Sequence, residues 1–69
     1  MCLMIHSINN IYGTSLNPHN VSRTCGGSSG GDAGLVSSKC VPLSIGTDIG
    51  GSIRVPSSFC GIYGFKPTH

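Results

Sequence analysis

The sequence predicts an α/β fold in which short helices and short strands alternate. Two observations lead there. From Ser29 to Thr47 a helical stretch is followed by an extended one, and from Ser52 to Phe65 the same order returns. Glycine and proline punctuate the joins, and helix–strand–helix–strand is the rhythm of an α/β layer.

The elements follow in order. Residues 1–8 read as an apolar strand end, and Asn9-Asn10 and Tyr12 to Asn20 as turns, since Asn, Gly and Pro favour them. Asn17 before Pro18 is pushed towards an extended conformation. Residues 21–27 read as irregular. A helix near 29–39 is expected, with Ser29 as N-cap and Asp32 in the first turn, where the helix dipole favours an anion. Ala33, Leu35, Val36 and Cys40 give it a weak apolar face, and Lys39 is placed in its last turn. A strand is expected near 43–47, where apolar and small residues alternate, followed by a loop at 48–51. A second helix near 52–60 holds Pro56 in its first turn and closes on Gly61. Ile62 to Phe65 reads as a strand near 62–65, ended by Pro67. Two strands make no stable sheet alone, so the sheet is expected to be completed by further chain.

Composition narrows the function classes. The 69 residues include 11 glycines, two Phe, two Tyr and no Trp, which leaves few large side chains for a core. Four cysteines stand far apart with no Cys-x-x-Cys pair, and His6, His19 and His69 lack zinc-ligand spacing. Reduced thiols in an intracellular protein are expected, with no secretory signal, no metal and no cofactor. The formal net charge is +2, and Arg23, Lys39, Arg54 and Lys66 are scattered. No basic stripe marks a nucleic-acid partner, and no apolar run nears the roughly 20 residues needed to span a bilayer. Membrane association is otherwise left open.

The chemistry lies in two serines, each in a glycine-rich frame. Gly26-Gly27-Ser28-Ser29-Gly30-Gly31 comes first, and Gly46-Thr47-Asp48-Ile49-Gly50-Gly51-Ser52-Ile53-Arg54 follows. Glycines beside a hydroxyl let backbone approach a substrate closely. Taken alone, the first frame is also a flexible linker composition and matches the Gly-x-Ser-x-Gly elbow. That elbow needs a preceding strand, and Val21 to Cys25 makes a poor one. The second frame, taken alone, is a serine-capped tight turn. Its functional reading is a cluster of N–H groups from Ile49, Gly50, Gly51 and Ser52 around a developing oxyanion. Asp48 and Arg54 flank it and are read as bracing the loop.

Taken together, residues 26–57 resemble the amidase signature family: both frames, Ala33, and the run Arg54-Val55-Pro56 fit its pattern. Phe59-Cys60-Gly61-Ile62-Tyr63-Gly64-Phe65-Lys66-Pro67-Thr68 continues it, and Tyr12-Gly13 to Asn17-Pro18 is similar to the segment upstream. The resemblance implies a mixed sheet core flanked by helices, of which residues 1–69 form a partial domain. It implies a Ser–cisSer–Lys hydrolase of linear amides, with a small-molecule amide as partner. Ser52 would be the nucleophile and Ser28, on a cis peptide after Gly27, the bridging serine. Ile49, Gly50, Gly51 and Ser52 would form the oxyanion hole, with Ser29, Asp48 and Arg54 in support. The family's lysine lies farther upstream of the bridging serine than these residues reach, and Lys39 and Lys66 both follow Ser28. The chain alone is therefore expected to be inactive. The second frame looks closer to fatty-acid-amide and general amide hydrolases than to the amidase component of a glutamine amidotransferase. The alternatives are a non-catalytic truncated product, or part of such an amidotransferase component.

Overall fold

The computed structural model describes residues 6–68. Strands β1 (Ile8–Asn9) and β2 (Gly13–Thr14) form one antiparallel hairpin, and β3 (Leu16–Asn17) and β4 (Asn20–Thr24) a second. Helices α1 (Gly30–Ser37) and α2 (Arg54–Cys60) pack on each other. The result is a small α/β arrangement of two helices and two small antiparallel sheets, the class the sequence predicts.

The hairpins follow from side-chain competition for backbone hydrogen bonds. Asn9 Oδ1 accepts from the N–H groups of Ile11 and Tyr12, Asn17 Oδ1 from His19, and Asn20 Oδ1 from Ser22. Asn9 and Asn17 thus bend the chain at the two turns, and Asn20 holds the start of β4. The turn between β3 and β4 is tied to the end of α2, since Asn17 Nδ2 donates to Phe59 O at 2.8 Å and His19 Nε2 lies 2.9 Å from Cys60 O.

Helix α1 holds three glycines in eight residues and has poor intrinsic propensity, so packing and its ends must hold it. Gly30 and Ala33 face inward. At its far end Lys39 adopts φ 64, the Lys39 N–H bonds Val36 O at 3.0 Å and the Cys40 N–H bonds Leu35 O at 3.0 Å. That pair of bonds is a Schellman close, with lysine where glycine is usual. Lys39 therefore lies beyond the helix, which corrects the sequence expectation that placed it in the last turn. Helix α2 places Pro56 in its first turn, where the missing N–H costs nothing, and ends on Gly61 at φ 68 as expected.

Cys25, Ala33 and Cys60 form the buried apolar core, with Ile62 packed against it. No disulfide joins the described cysteines: Cys25, Cys40 and Cys60 are free thiols. Burial pushes the pKa of Cys25 and Cys60 above the usual thiol range.

Further expectations are corrected, among them the reading of Tyr12 to Asn20 as turns alone, since β2 and β3 lie there. The stretches near 43–47 and 62–65 form no strand, since no described segment pairs with them. Most of their large side chains stand in solvent, Ile45 at 91 % and Phe65 at 83 % exposure, while Ile62 packs on the core. Val21 to Thr24, read as irregular, belongs to β4, whose polar residues lie on exposed faces and give no apolar alternation. The apolar start at residues 1–5 lies outside the described residues, although Ile8 does enter β1.

Candidate active site

The first serine frame is the loop between β4 and α1, so a strand does precede Gly26-Gly27-Ser28 and a helix follows. Gly26 adopts φ 80, and a Cβ there would meet Val55 at 3.2 Å and Phe59 and the Pro56 backbone at 3.3 Å each. Only glycine combines that conformation with so close a seat beneath α2. The Gly27–Ser28 peptide bond is cis, as the resemblance implies. Ser28 is half-buried, while Gly26, Gly27, Ser29 and Gly30 around it are buried.

The second frame is organised by one carboxylate. Asp48 Oδ1 accepts from the Gly51 N–H at 2.8 Å, and Oδ2 accepts from the N–H groups of Ile53 at 3.0 Å and Arg54 at 3.1 Å. The last two are unpaired donors at the start of α2, so Asp48 caps that helix across its own loop. Ser52, the capping residue of the tight-turn alternative, makes no such bond. Arg54 closes the arrangement with a forked pair, Nε to Oδ2 at 3.1 Å and Nη2 to Oδ1 at 2.9 Å. Asp48 is 1 % exposed and Arg54 57 %, so the carboxylate is enclosed while the guanidinium covers it from solvent. The Arg54 guanidinium and the three backbone N–H groups hold the Asp48 carboxyl well below the usual carboxylate range, and its charge raises the pKa of Arg54. The Asp48 carboxylate thus ties both ends of the 48–54 loop together, with Arg54 bonded to it.

Ser29 joins the frames. Its N–H donates to Ser52 O at 3.1 Å, and its hydroxyl both donates to Thr47 O at 3.2 Å and accepts from the Thr47 N–H at 3.1 Å. Ser29 occupies the N-cap position of α1 but makes no side-chain bond to that helix, because its hydroxyl is spent on the other frame. Sequence distance between the serines is thereby converted into backbone contact.

The expected oxyanion donors divide. The Gly51 N–H is committed to Asp48, which removes it from the cluster read from sequence. Among the described residues, the N–H groups of Ile49, Gly50 and Ser52 have no partner. The Ile49 side chain is exposed.

With this geometry in hand, the comparisons decide the family. The family model described as Amidase matches residues 1–69. The chain belongs to the amidase family. Among its relatives, a protein described as putative amidase kk1C of Curvularia clavata is 55 % identical over 97 % of this chain and 12 % of its own length. A component of the glutamyl-tRNA(Gln) amidotransferase of Treponema denticola is 57 % identical over 84 % of the chain and 12 % of its own length. A fatty-acid amide hydrolase 2-B of Danio rerio is 47 % identical over 99 % of the chain and 13 % of its own length. The chain thus spans about an eighth of each of these relatives.

In this stretch of the amidase fold, a groove of about 440 Å³, open to solvent, lies between α1 and the irregular runs at 42–46 and 62–67. Val36, Leu43, Ile45, Ile53 and Phe65 make it largely apolar, and Asp32 reaches it with its carboxylate bonded by the Ser44 hydroxyl at 2.5 Å. Ser29 lines the groove; Ser28 and Ser52 do not.

One residue that matters here was invisible to motif reading. Ser7, ahead of β1, donates its hydroxyl to Gly26 O at 2.9 Å and accepts from the Gly30 N–H at 3.0 Å. A lone serine among polar neighbours carries no spacing signal. Only the fold brings it against the first frame.

Proposed function

We propose that this segment carries two of the three catalytic groups of an amide hydrolase, and that the whole protein cleaves C–N bonds of linear amides through an acyl-enzyme. Ser52 Oγ attacks the amide carbonyl carbon, and its proton passes to Ser28 Oγ. Ser28 releases its own proton to a base. The carbonyl oxygen, now an anion, is met by the amides of Ile49, Gly50 and Ser52. Collapse expels the amine, which takes up a proton, and water then releases the acid from Ser52 by the reverse relay. Asp48 and Arg54 fix the loop that presents Ser52, and Ser29 fixes it against the loop that presents Ser28.

The observation that supports this reading most is the Ser29 N–H to Ser52 O bond, because it joins the two serine frames of an amidase-family chain. The base is assigned to a lysine outside these residues, because the resemblance to the amidase signature family implies one upstream of the bridging serine and Lys39 and Lys66 both follow Ser28. The 69 residues alone are accordingly expected to turn over no amide. The test is steady-state hydrolysis of simple aryl and alkyl amides by the whole protein. Loss of turnover in both Ser52→Ala and Ser28→Ala is expected; full turnover in Ser52→Ala would end the assignment.

A second reading rests on the 57 % identity to the amidotransferase component. In it the same serines release ammonia from a carboxamide side chain for transfer to an acceptor. Glutamine hydrolysis with no turnover of hydrophobic amides would favour it.

A further inference from the structure

We infer that Ser7 is a positioning residue for Ser28, holding the loop that carries the bridging hydroxyl closed from outside. The inference rests on the reading of Ser28 given above.

A serine hydroxyl has one proton to donate and two lone pairs to receive. Ser7 uses them on opposite ends of one loop. It donates to Gly26 O at 2.9 Å, two residues before Ser28, and accepts from the Gly30 N–H at 3.0 Å, two residues after. Ser28 O lies 3.4 Å from the same oxygen as a longer alternative acceptor. Gly26 and Gly30 are both buried, so neither group has water to fall back on. The hydroxyl therefore sets the distance between the two ends of the loop, and with it the place of Ser28.

Two further features tie this clamp to its position. Ser7 O accepts from the Ser15 N–H at 2.9 Å, and Ser15 O in turn lies 3.2 Å from the Cys25 Sγ that donates to it. Ser7 is thus anchored to the segment between the hairpins and, through Cys25, to the residue that opens the loop. The space is also fitted: a Cβ at Gly30 would collide with the Ser7 hydroxyl and approach Cys25 Sγ to 2.8 Å. A residue larger than glycine at position 30 would not fit beside Ser7 and Cys25. Ser29, which bonds the second frame, sits inside the clamped loop, so a shift there reaches Ser52 as well.

The test compares Ser7→Ala, Ser7→Thr and Ser7→Cys in the whole protein, with turnover of a p-nitroanilide and titration of reactive serine by a fluorophosphonate. Ser7→Ala should lower kcat about 10- to 100-fold with KM little changed, as misplacement of a reacting group does. The titratable fraction should stay near wild type while the phosphonylation rate per site falls with kcat. Ser7→Thr, which keeps the hydroxyl, should recover most of both rates. Should Ser7→Ala not fold, Ser7→Cys, a weaker hydrogen-bonding group of similar shape, must still lower kcat. Unchanged kcat in folded Ser7→Ala or Ser7→Cys overturns the inference, as does a loss explained wholly by fewer titratable sites. Failure of the underlying reading looks different: Ser52→Ala would keep turnover and labelling, and the inference would fall with it.

Discussion

The backbone N–H of Ser29 donates to the carbonyl of Ser52 at 3.1 Å, so residues from separate glycine-rich loops share one hydrogen bond. The hydroxyl of Ser29 reinforces it by bonding Thr47 in both directions. Ser29→Ala should therefore remove both partly buried Thr47 contacts and cost about 1 kcal/mol. Gly46→Ala should act on the same joint, because its Cβ would come within 2.6 Å of Ser29 Oγ. Urea denaturation of each variant checks both; a midpoint unchanged from wild type in either would show that the joint bears no load.

Asp48 sets an acid dependence whose sign can be worked out. Its folded carboxyl is held below the usual range, chiefly by Arg54, so the folded state prefers the ionised form. The stability it contributes is fully present above the unfolded value of about 3.9 and is lost as pH falls below that towards the depressed folded value. Asp48→Asn should lower stability at neutral pH and flatten the dependence below about pH 4. Denaturation midpoints across pH measure this; a variant with an acid limb as steep as wild type would contradict it.

Lys39 holds a left-handed conformation that favours glycine. Lys39→Gly keeps both closing bonds of α1 and relieves the lysine Cβ, so a gain of about 1 kcal/mol is expected. The shift in urea midpoint reports it, and a loss of stability would mean that the lysine side chain itself holds the helix end.

Thiol chemistry separates the cysteines by burial. Cys40 is exposed, while Cys25 and Cys60 are fully enclosed and their pKa values are pushed up. The thiolate is the reactive form. Brief alkylation at neutral pH, followed by peptide mass mapping, should modify Cys40 first and reach Cys25 and Cys60 only on denaturation. Equal rates at Cys40 and Cys60 would show that this core does not persist.

Much of the site was legible because special residues mark it. Pro56 and Gly61 placed α2 within two residues of its observed span, and the pairing of Asp48 with Arg54 could be read from their isolation in a chain with two acids. What Asp48 does for the backbone could not be read, since its three N–H partners appear only once the loop is folded. The alternation at Val41 to Thr47 is a true strand signal without a strand, because a ladder needs a neighbour that residues 6–68 do not supply. The strand at Asn20–Thr24 is the converse case: pairing with β3 makes it extended, while its exposed polar residues leave no periodicity to detect. Ser7 was missed for the same reason as Asp48's bonds, as both act across distance in the chain.

The central claim is that Ser52 becomes covalently acylated with Ser28 relaying its proton. Mass mapping of the whole protein after fluorophosphonate treatment tests it most directly. One phosphonyl adduct on Ser52 is expected, absent in Ser52→Ala and formed far more slowly in Ser28→Ala. An adduct on another residue, or labelling of Ser52 at the wild-type rate in Ser28→Ala, would contradict it.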